Sequence, residues 1–226
     1  MLHSFTGGTD GASPYAGLIR DAAGNLYGTT VYGGTSSSGT VYKIDASGQE
    51  MVLYSFTGGN DGGFPYGGVI RDSAGNLYGT TYYGGASDAG TVYKIDASGQ
   101  ETVLYSFTGG TDGGFPYAGV IRDSAGNLYG TTTGGGASGL GTVYKIDASG
   151  QETVLHSFTG GADGANPDAG VIRDSAGNLY GTTISGAASE GGTVYEVDST
   201  GLETVLYSFQ GGTDGYYPYG GLTGDG

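Results

Sequence analysis

A chain of 226 residues with 22 acidic and only 7 basic side chains carries a formal net charge of −15, and 52 of its residues are glycine. No basic patch exists to neutralise phosphates, so nucleic acid and anionic membrane are poor partners. The absence of cysteine excludes a disulfide framework and a thiolate metal site, and no run reads as a signal peptide or a membrane span.

The remaining sequence is a repeat. Leu2, Leu53, Leu104, Leu155 and Leu206 open near-copies at a spacing of 51 residues, a period that points to a solenoid, a propeller or a repeat array. The copies occupy 2–52, 53–103, 104–154 and 155–205, with a partial copy at 206–226. No linker or shift in composition interrupts them, so 1–226 reads as a single repeat domain. Regularly placed Val, Ile, Leu, Phe and 20 Tyr argue for an ordered β array rather than a low-complexity chain. At this length roughly 70 % of the surface exposed by the unfolded chain is expected to be buried.

Taken in chain order through the third copy, four runs of strand length carry the apolar and β-branched residues. They are GVIRD (119–123), NLYGTT (127–132), GTVYKID (141–147) and ETVLHSF (152–158), called A to D below. Each is bounded by Gly, Asp, Asn or Ser, and no window of ten residues shows glycine-free helical periodicity. The A–B turn (Ser124-Ala125-Gly126) and the C–D turn (148–151) are tight, with glycine available for positive φ and aspartate for bonding its own backbone. The B–C loop (about 133–140) and the loop from D to the next A (about 159–169) are long and glycine-rich. In an up-and-down meander the two tight turns share one face and the two long loops the other. Strands such as TVYKID place apolar groups on both sides, as suits a sheet sandwiched between neighbours. The predicted fold is therefore all-β, a β-propeller of 51-residue four-stranded antiparallel blades, with a β-solenoid as the competitor.

All basic residues fall at two repeat positions. Arg20, Arg71, Arg122 and Arg173 end strand A and are expected to pair across blades with adjacent carboxylates such as Asp21 and Asp123. Lys43, Lys94 and Lys145 lie in strand C. The partial copies at the two ends leave three arrangements open: four blades closing alone, two chains meeting in an eight-bladed ring, or head-to-tail addition of chains. Self-association is the expected partnership.

The segment DSAGNLYGTT (123–132), with LYSFTGG upstream and GTVYKID downstream, resembles the GloVer tandem repeat of choice-of-anchor bacterial surface proteins. Its GNLY core is also similar to NHL-type propeller blades. The resemblance covers essentially the whole chain and implies a propeller displayed at the cell surface or outside the cell, its anchor elsewhere in the parent chain. It implies no activity and no site residues.

Candidate sites cluster on the long-loop face. The D–A loop spells G-G-x-D-G-x-x-P five times, with Asp10, Asp61, Asp112, Asp163 and Asp214 at the fourth position. A hard cation such as calcium takes six to eight oxygens, to which a ring of aspartates would contribute; an aspartate capping its own turn explains the same spelling. Calcium is the only cofactor the residues suggest, and none is required. Tyr15, Tyr66, Tyr117 and Tyr219 follow the loop proline, with Asp168 replacing tyrosine in the fourth copy. Tyrosine beside aspartate and glycine suits sugar binding, the ring stacking on CH groups while carboxylates accept hydroxyl protons; packing between blades is the alternative. The B–C loops vary most between copies, which marks a face for binding without naming a ligand.

Catalytic signatures are lacking. His3 and His156 stand where other copies have Tyr54, Tyr105 and Tyr207, so each is expected to fill a tyrosine-shaped slot. No phosphate-loop spelling occurs, and nearly every acidic position is repeated, whereas an active site usually breaks a propeller's symmetry. The sequence thus predicts a non-enzymatic scaffold for display, spacing or self-assembly, with a lectin-like module using the D–A loops as the second reading.

Overall fold

The computed structural model describes residues 2–224, and every regular element among them is a strand. The chain divides into two compact units, Met1–Phe107 and Thr108–Gly226. The first unit holds two sheets, β1 (Ile19–Arg20), β2 (Leu26–Thr30), β3 (Thr40–Ile44), β4 (Glu50–Ser55), and β5 (Ile70–Arg71), β6 (Leu77–Thr81), β7 (Thr91–Ile95), β8 (Glu101–Ser106). The second holds β9 (Ile121–Arg122), β10 (Leu128–Thr132), β11 (Thr142–Ile146), β12 (Glu152–Ser157), and β13 (Ile172–Arg173), β14 (Leu179–Thr183), β15 (Thr193–Val197), β16 (Glu203–Ser208). Each sheet is a four-stranded antiparallel meander in sequence order, the blade of a β-propeller, as the 51-residue period predicts.

Both tight turns form as the sequence implies. In the first copy the Asp21 carboxylate accepts the Asn25 amide and side chain, and the Asp45 carboxylate accepts the amides of Ser47 and Gln49. Strand A is shorter than expected, two residues rather than five. The backbone upstream of it turns toward the preceding blade instead. The Thr29 hydroxyl donates to the Gly67 carbonyl at 3.0 Å, and Thr131 to the Ala169 carbonyl at the same distance.

The pairing of strands B and C explains a glycine in every copy. Gly79 lies directly opposite Tyr93, as Gly130 lies opposite Tyr144. A Cβ at either glycine would stand 2.5 Å from the tyrosine hydroxyl and 2.7 Å from the ring. The tyrosine ring thus takes the volume that a side chain in strand B would fill, an arrangement seen where aromatics cover strand glycines.

Two residues further along strand B, threonines meet across the same strand pair: Thr30 with Thr40, Thr81 with Thr91, Thr132 with Thr142 and Thr183 with Thr193, all at 2.8 Å and all buried.

Between strands C and D the register slips by one residue in every blade, at Val92/Tyr93 in the second. This β-bulge carries an extra leucine. In the first unit Leu53 and Tyr54 pack against a buried cluster of Val41 and Phe56 from one blade with Val69, Leu77, Tyr93 and Ile95 from the next. The Phe56 and Tyr93 rings meet edge-on at 5.0 Å. In the second unit Phe158 and Tyr195 do the same at 5.1 Å, with Val143, Val171 and Leu179. The core therefore lies between blades, since a four-stranded sheet has no interior of its own.

The Gly79–Tyr93 contact gives a sharp test. Gly79→Ala forces overpacking and is expected to lower unfolding stability by about 2 kcal/mol. Tyr93→Phe removes a buried hydroxyl that has no hydrogen-bond partner among the described residues and is expected to change stability by less than about 1 kcal/mol. Urea unfolding of the two variants checks both, and equal losses would refute the packing argument.

Candidate functional site

The long-loop face is built from two loops bound to each other. Each D–A loop is closed by its own aspartate. Asp163 accepts the Thr159 amide at 2.8 Å and the Thr159 hydroxyl at 2.6 Å; Asp10 does the same with Thr6, at 2.7 and 2.6 Å. Asp61 and Asp112 accept from Thr57 and Thr108 in the same way. Asp214, where glutamine replaces the threonine, accepts the Gln210 amide and the Tyr207 hydroxyl, both at 2.9 Å. Threonine four residues before aspartate, followed by glycine, is thus the spelling of a turn closed on itself. The glycine after the aspartate sits at positive φ against the threonine pair of its own blade, as Gly62 does at φ 91° against Thr81 and Thr91.

The residue before each loop proline adopts a left-handed conformation: Ser13, Phe64, Phe115, Asn166 and Tyr217, at φ from 53° to 61°. A bulky side chain there, ahead of proline, is strained by about 1–3 kcal/mol. Hydrogen bonds on both sides hold it. Phe64 donates its amide to the Ser38 carbonyl in the B–C loop of the preceding blade at 2.7 Å and accepts from the Tyr82 amide of its own blade at 3.2 Å; Asn166 does likewise with Leu140 and Ile184. The following proline covers a glycine of the preceding blade: a Cβ on Gly39 would stand 2.6 Å from Pro65, and on Gly141 2.7 Å from Pro167.

The B–C loops, variable in sequence, are anchored as well. Gly34 donates to Gly8, Gly85 to Gly59, Gly136 to Gly110 and Ala187 to Gly161, at 2.8–2.9 Å, so each B–C loop is tied to the D–A loop of its own copy.

On this platform the tyrosines after proline are placed unequally. Tyr15 and Tyr219 are 69 % and 68 % exposed, whereas Tyr66 and Tyr117 are half-buried. Tyr15 and Tyr66 meet edge-on at 5.8 Å. Asp168 is half-buried, and burial raises its carboxyl above the usual range. The five loop aspartates lie one to a loop, and among the described residues no group of three or more His, Asp or Glu is placed to hold a metal ion. A calcium ion on one such aspartate would draw most of its oxygens from backbone and water.

His156 occupies the tyrosine slot, its Nε2 3.4 Å from Asp163, just as the Tyr54 hydroxyl lies 3.0 Å from Asp61; His3 stands 3.6 Å from Asp10. Burial lowers the His156 pKa against the opposing pull of Asp163.

Beside this slot lies a group that the sequence reading passed over. Glu50, Glu101, Glu152 and Glu203 begin strand D in every copy, and one carboxyl oxygen of each is buried without a hydrogen-bond partner among the described residues. Burial, with the neighbouring charge of Asp61, Asp112 and Asp163 respectively, pushes Glu101, Glu152 and Glu203 up to about 7. Their signal was the recurrence of glutamate at the same strand position, which resembles an ordinary charge at a turn.

The arginines differ from expectation. Asp21 and Asp123 are taken by Asn25 with Tyr27 and by Asn127 with Tyr129. Arg71 and Arg173 instead lie over the rings of Tyr27 and Tyr129, each 5.5 Å from the centroid. The cation thus meets the face of a ring whose hydroxyl is bonded to the aspartate. Each arginine also lines a small inter-blade cavity on the tight-turn side, about 230 Å³ around Arg71, Lys43 and Leu53 and about 170 Å³ around Arg173, Lys145 and Leu155.

The model of the Gloeobacter/Verrucomicrobia repeat matches the chain twice, over residues 1–175 and 39–226. No curated protein matches it. Among solved structures, a gluconolactonase of Xanthomonas campestris is similar in fold, with a TM-score of 0.53 and 17 % identity over 84 % of this chain and 60 % of that one. The extracellular domain of a B. thetaiotaomicron protein described as a one-component system has a TM-score of 0.57 and 11 % identity, over 92 % of this chain and 24 % of the other. The chain therefore spans about six-tenths of the gluconolactonase and a quarter of the second protein, and at these identities the likeness shows the fold alone.

The buried glutamates set a pH dependence. Their folded pKa lies above the unfolded value, so the folded state holds protons that the unfolded chain releases, and stability falls as pH rises from about 4.5 to about 7. Asp21, lowered to about 2 mainly by the Asn25 hydrogen bond, acts oppositely and loses its contribution as pH falls below the usual carboxylate range. Thermal unfolding is expected to show maximal stability near pH 5, and Glu101→Gln with Glu152→Gln and Glu203→Gln is expected to flatten the decline above it.

Proposed function

Because the chain belongs to the Gloeobacter/Verrucomicrobia repeat family, we propose that this β-propeller repeat protein is a non-enzymatic extracellular module serving as a scaffold for display, spacing or self-assembly. The observation that carries the reading is the copy-for-copy use of its polar groups. The loop aspartates close their own turns, the turn aspartates hold Asn25 and its equivalents, and both histidines occupy a position that tyrosine fills elsewhere. A reaction centre gathers different groups from different elements around one point, whereas here the same groups recur in each blade at the same structural task.

Self-association belongs to the same proposal. Leu206 and Tyr207 are 50 % and 46 % exposed, while their equivalents Leu53 and Tyr54 pack against the blade that follows.

Three measurements test the proposal. Protease shaving and antibody labelling of intact cells producing the parent protein are expected to reach the repeat from outside; protection until lysis would refute the extracellular reading. Hydrolysis of glucono-lactone and related lactones by the purified chain is expected to match the uncatalysed rate, and turnover abolished by substituting a single carboxylate would refute the non-enzymatic one. Light scattering is expected to give a mass that is a multiple of 22.5 kDa, with Leu206→Ser and Tyr207→Ser returning it to the monomer.

A further inference from the structure

We propose that the long-loop face of the first unit is a binding platform for a neutral polysaccharide, carried by an unbroken run of six aromatic rings. In order of contact they are Tyr15, Tyr66, Tyr82, Tyr83, Phe64 and Tyr32, with successive centroid separations of 5.8, 5.5, 4.7, 5.9 and 5.8 Å, each edge to face. Tyr15, Tyr32 and Tyr83 are 69 %, 45 % and 42 % exposed, and the other three are half-buried beneath them.

The run breaks the symmetry of the repeat. Where the second copy has Tyr82 and Tyr83, the third has Thr133 and Gly134 and the fourth Ile184 and Ser185; where it has Phe64, the fourth has Asn166. The backbone accepts all of them equally, since Gly63 bridges Tyr83 as Gly114 bridges Gly134 and Ala165 bridges Ser185. Holding the blade together therefore does not require aromatic rings here. An exposed run of aromatic surface that the third and fourth copies replace with Thr, Gly, Ile and Ser marks an interaction site.

The platform is rigid before any ligand arrives. Tyr32 and Ala12 exchange backbone hydrogen bonds at 2.7 and 3.1 Å, Tyr83 and Gly63 at 3.2 and 3.0 Å, and the left-handed Phe64 is held from both sides. Little ordering entropy is then lost on binding.

Ring faces with phenolic hydroxyls at their rims match sugar CH faces bordered by hydroxyl groups. A row of rings crossing two blades suits an extended chain rather than a single sugar, and several weak stacking contacts act together on one polymer. The net charge of −15 disfavours acidic polysaccharides. Tyr15 and Tyr66 come from the repeated D–A motif and Phe64 recurs as Phe115 in the third copy, but Tyr32, Tyr82 and Tyr83 have no aromatic counterpart in the third and fourth copies. The proposal is independent of the scaffold reading: a display module can carry it, and either can fail without the other.

Affinity electrophoresis of the full chain through gels containing dextran, β-1,3-glucan, xylan or galactomannan tests it, with alginate as the acidic comparison and a polyproline peptide titrated in parallel. At least one neutral polysaccharide is expected to retard the chain and alginate is not. Tyr32→Ser combined with Tyr83→Ser, which installs the residue of the fourth copy, is expected to raise the dissociation constant about tenfold, while Tyr219→Ser leaves it unchanged. An unaltered urea midpoint separates lost binding from lost folding, and Tyr32→Phe with Tyr83→Phe is expected to retain most of the retardation. No retardation by any neutral polysaccharide, retardation insensitive to the paired serine variant, or binding of polyproline in place of glycans would overturn it.

Discussion

The constraint on which this structure depends is that a sheet of four short strands cannot bury either of its faces alone. Within each unit this is met through the D–A loop, which leaves one blade and is fastened to the next. The left-handed residue before proline is the key to that fastening. It turns its amide to the B–C loop of the preceding blade while its carbonyl stays with its own strand B extension, as Phe64 does between Ser38 and Tyr82. The strain of that conformation is offset by two hydrogen bonds and by proline covering a glycine of the neighbour. The backbone just before strand A takes part as well, its carbonyl at Gly67 or Ala169 accepting a threonine hydroxyl from the blade before.

Glycine and acidity, the two compositional extremes, follow from this plan. Glycines stand where a ring or a threonine pair already occupies the space, or where φ is positive in a turn. The aspartates act mostly as local caps, each accepting amides and hydroxyls within five residues. Such carboxylates lie at the periphery in water, where a high negative charge is tolerated because few of them face one another. The exception is the glutamate that begins strand D. It is buried with one oxygen unpartnered, next to a loop aspartate and the blade's covered tyrosine or histidine slot. Burial first and the neighbouring carboxylate second hold the Glu101 carboxyl up to about 7, so the inter-blade contact itself titrates near neutral pH.

The blade architecture was legible in the sequence because its signals are local. The 51-residue period, the Asp-x-x-Gly turns and the alternating apolar runs each act over a few residues, and the strands lie within one or two residues of their expected positions except in strand A. What could not be read were the contacts between copies. Arginine beside aspartate in sequence suggested an ion pair, but Tyr27, six residues away, bonds to the aspartate and presents its ring to the Arg71 of the next blade. The aspartate of G-G-x-D-G was legible both as a ligand and as a cap, and only the position of the threonine four residues earlier assigns its hydrogen bonds. The strand-D glutamate was hidden by its place beside a turn, since burial by an adjacent blade leaves no mark on the sequence near it.

A repeat protein separates the two kinds of demand on its residues more clearly than most folds. A position that serves stacking is constrained in every copy, because each copy makes the same contact; a position that serves a ligand is constrained only where the ligand lies. The loop aspartates, the pre-proline conformation and the glycine–tyrosine pairs belong to the first kind by their recurrence. The rings of Tyr32, Tyr82 and Tyr83 lie outside the buried core and have no aromatic counterpart in the third and fourth copies, yet with Phe64 they form one run across two blades. Exposed aromatic area is a liability for a repeat protein, since it favours nonspecific association. Its concentration on one loop face, over backbone that would hold glycine or serine equally well, is the point at which this chain departs from the requirements of its own repeat.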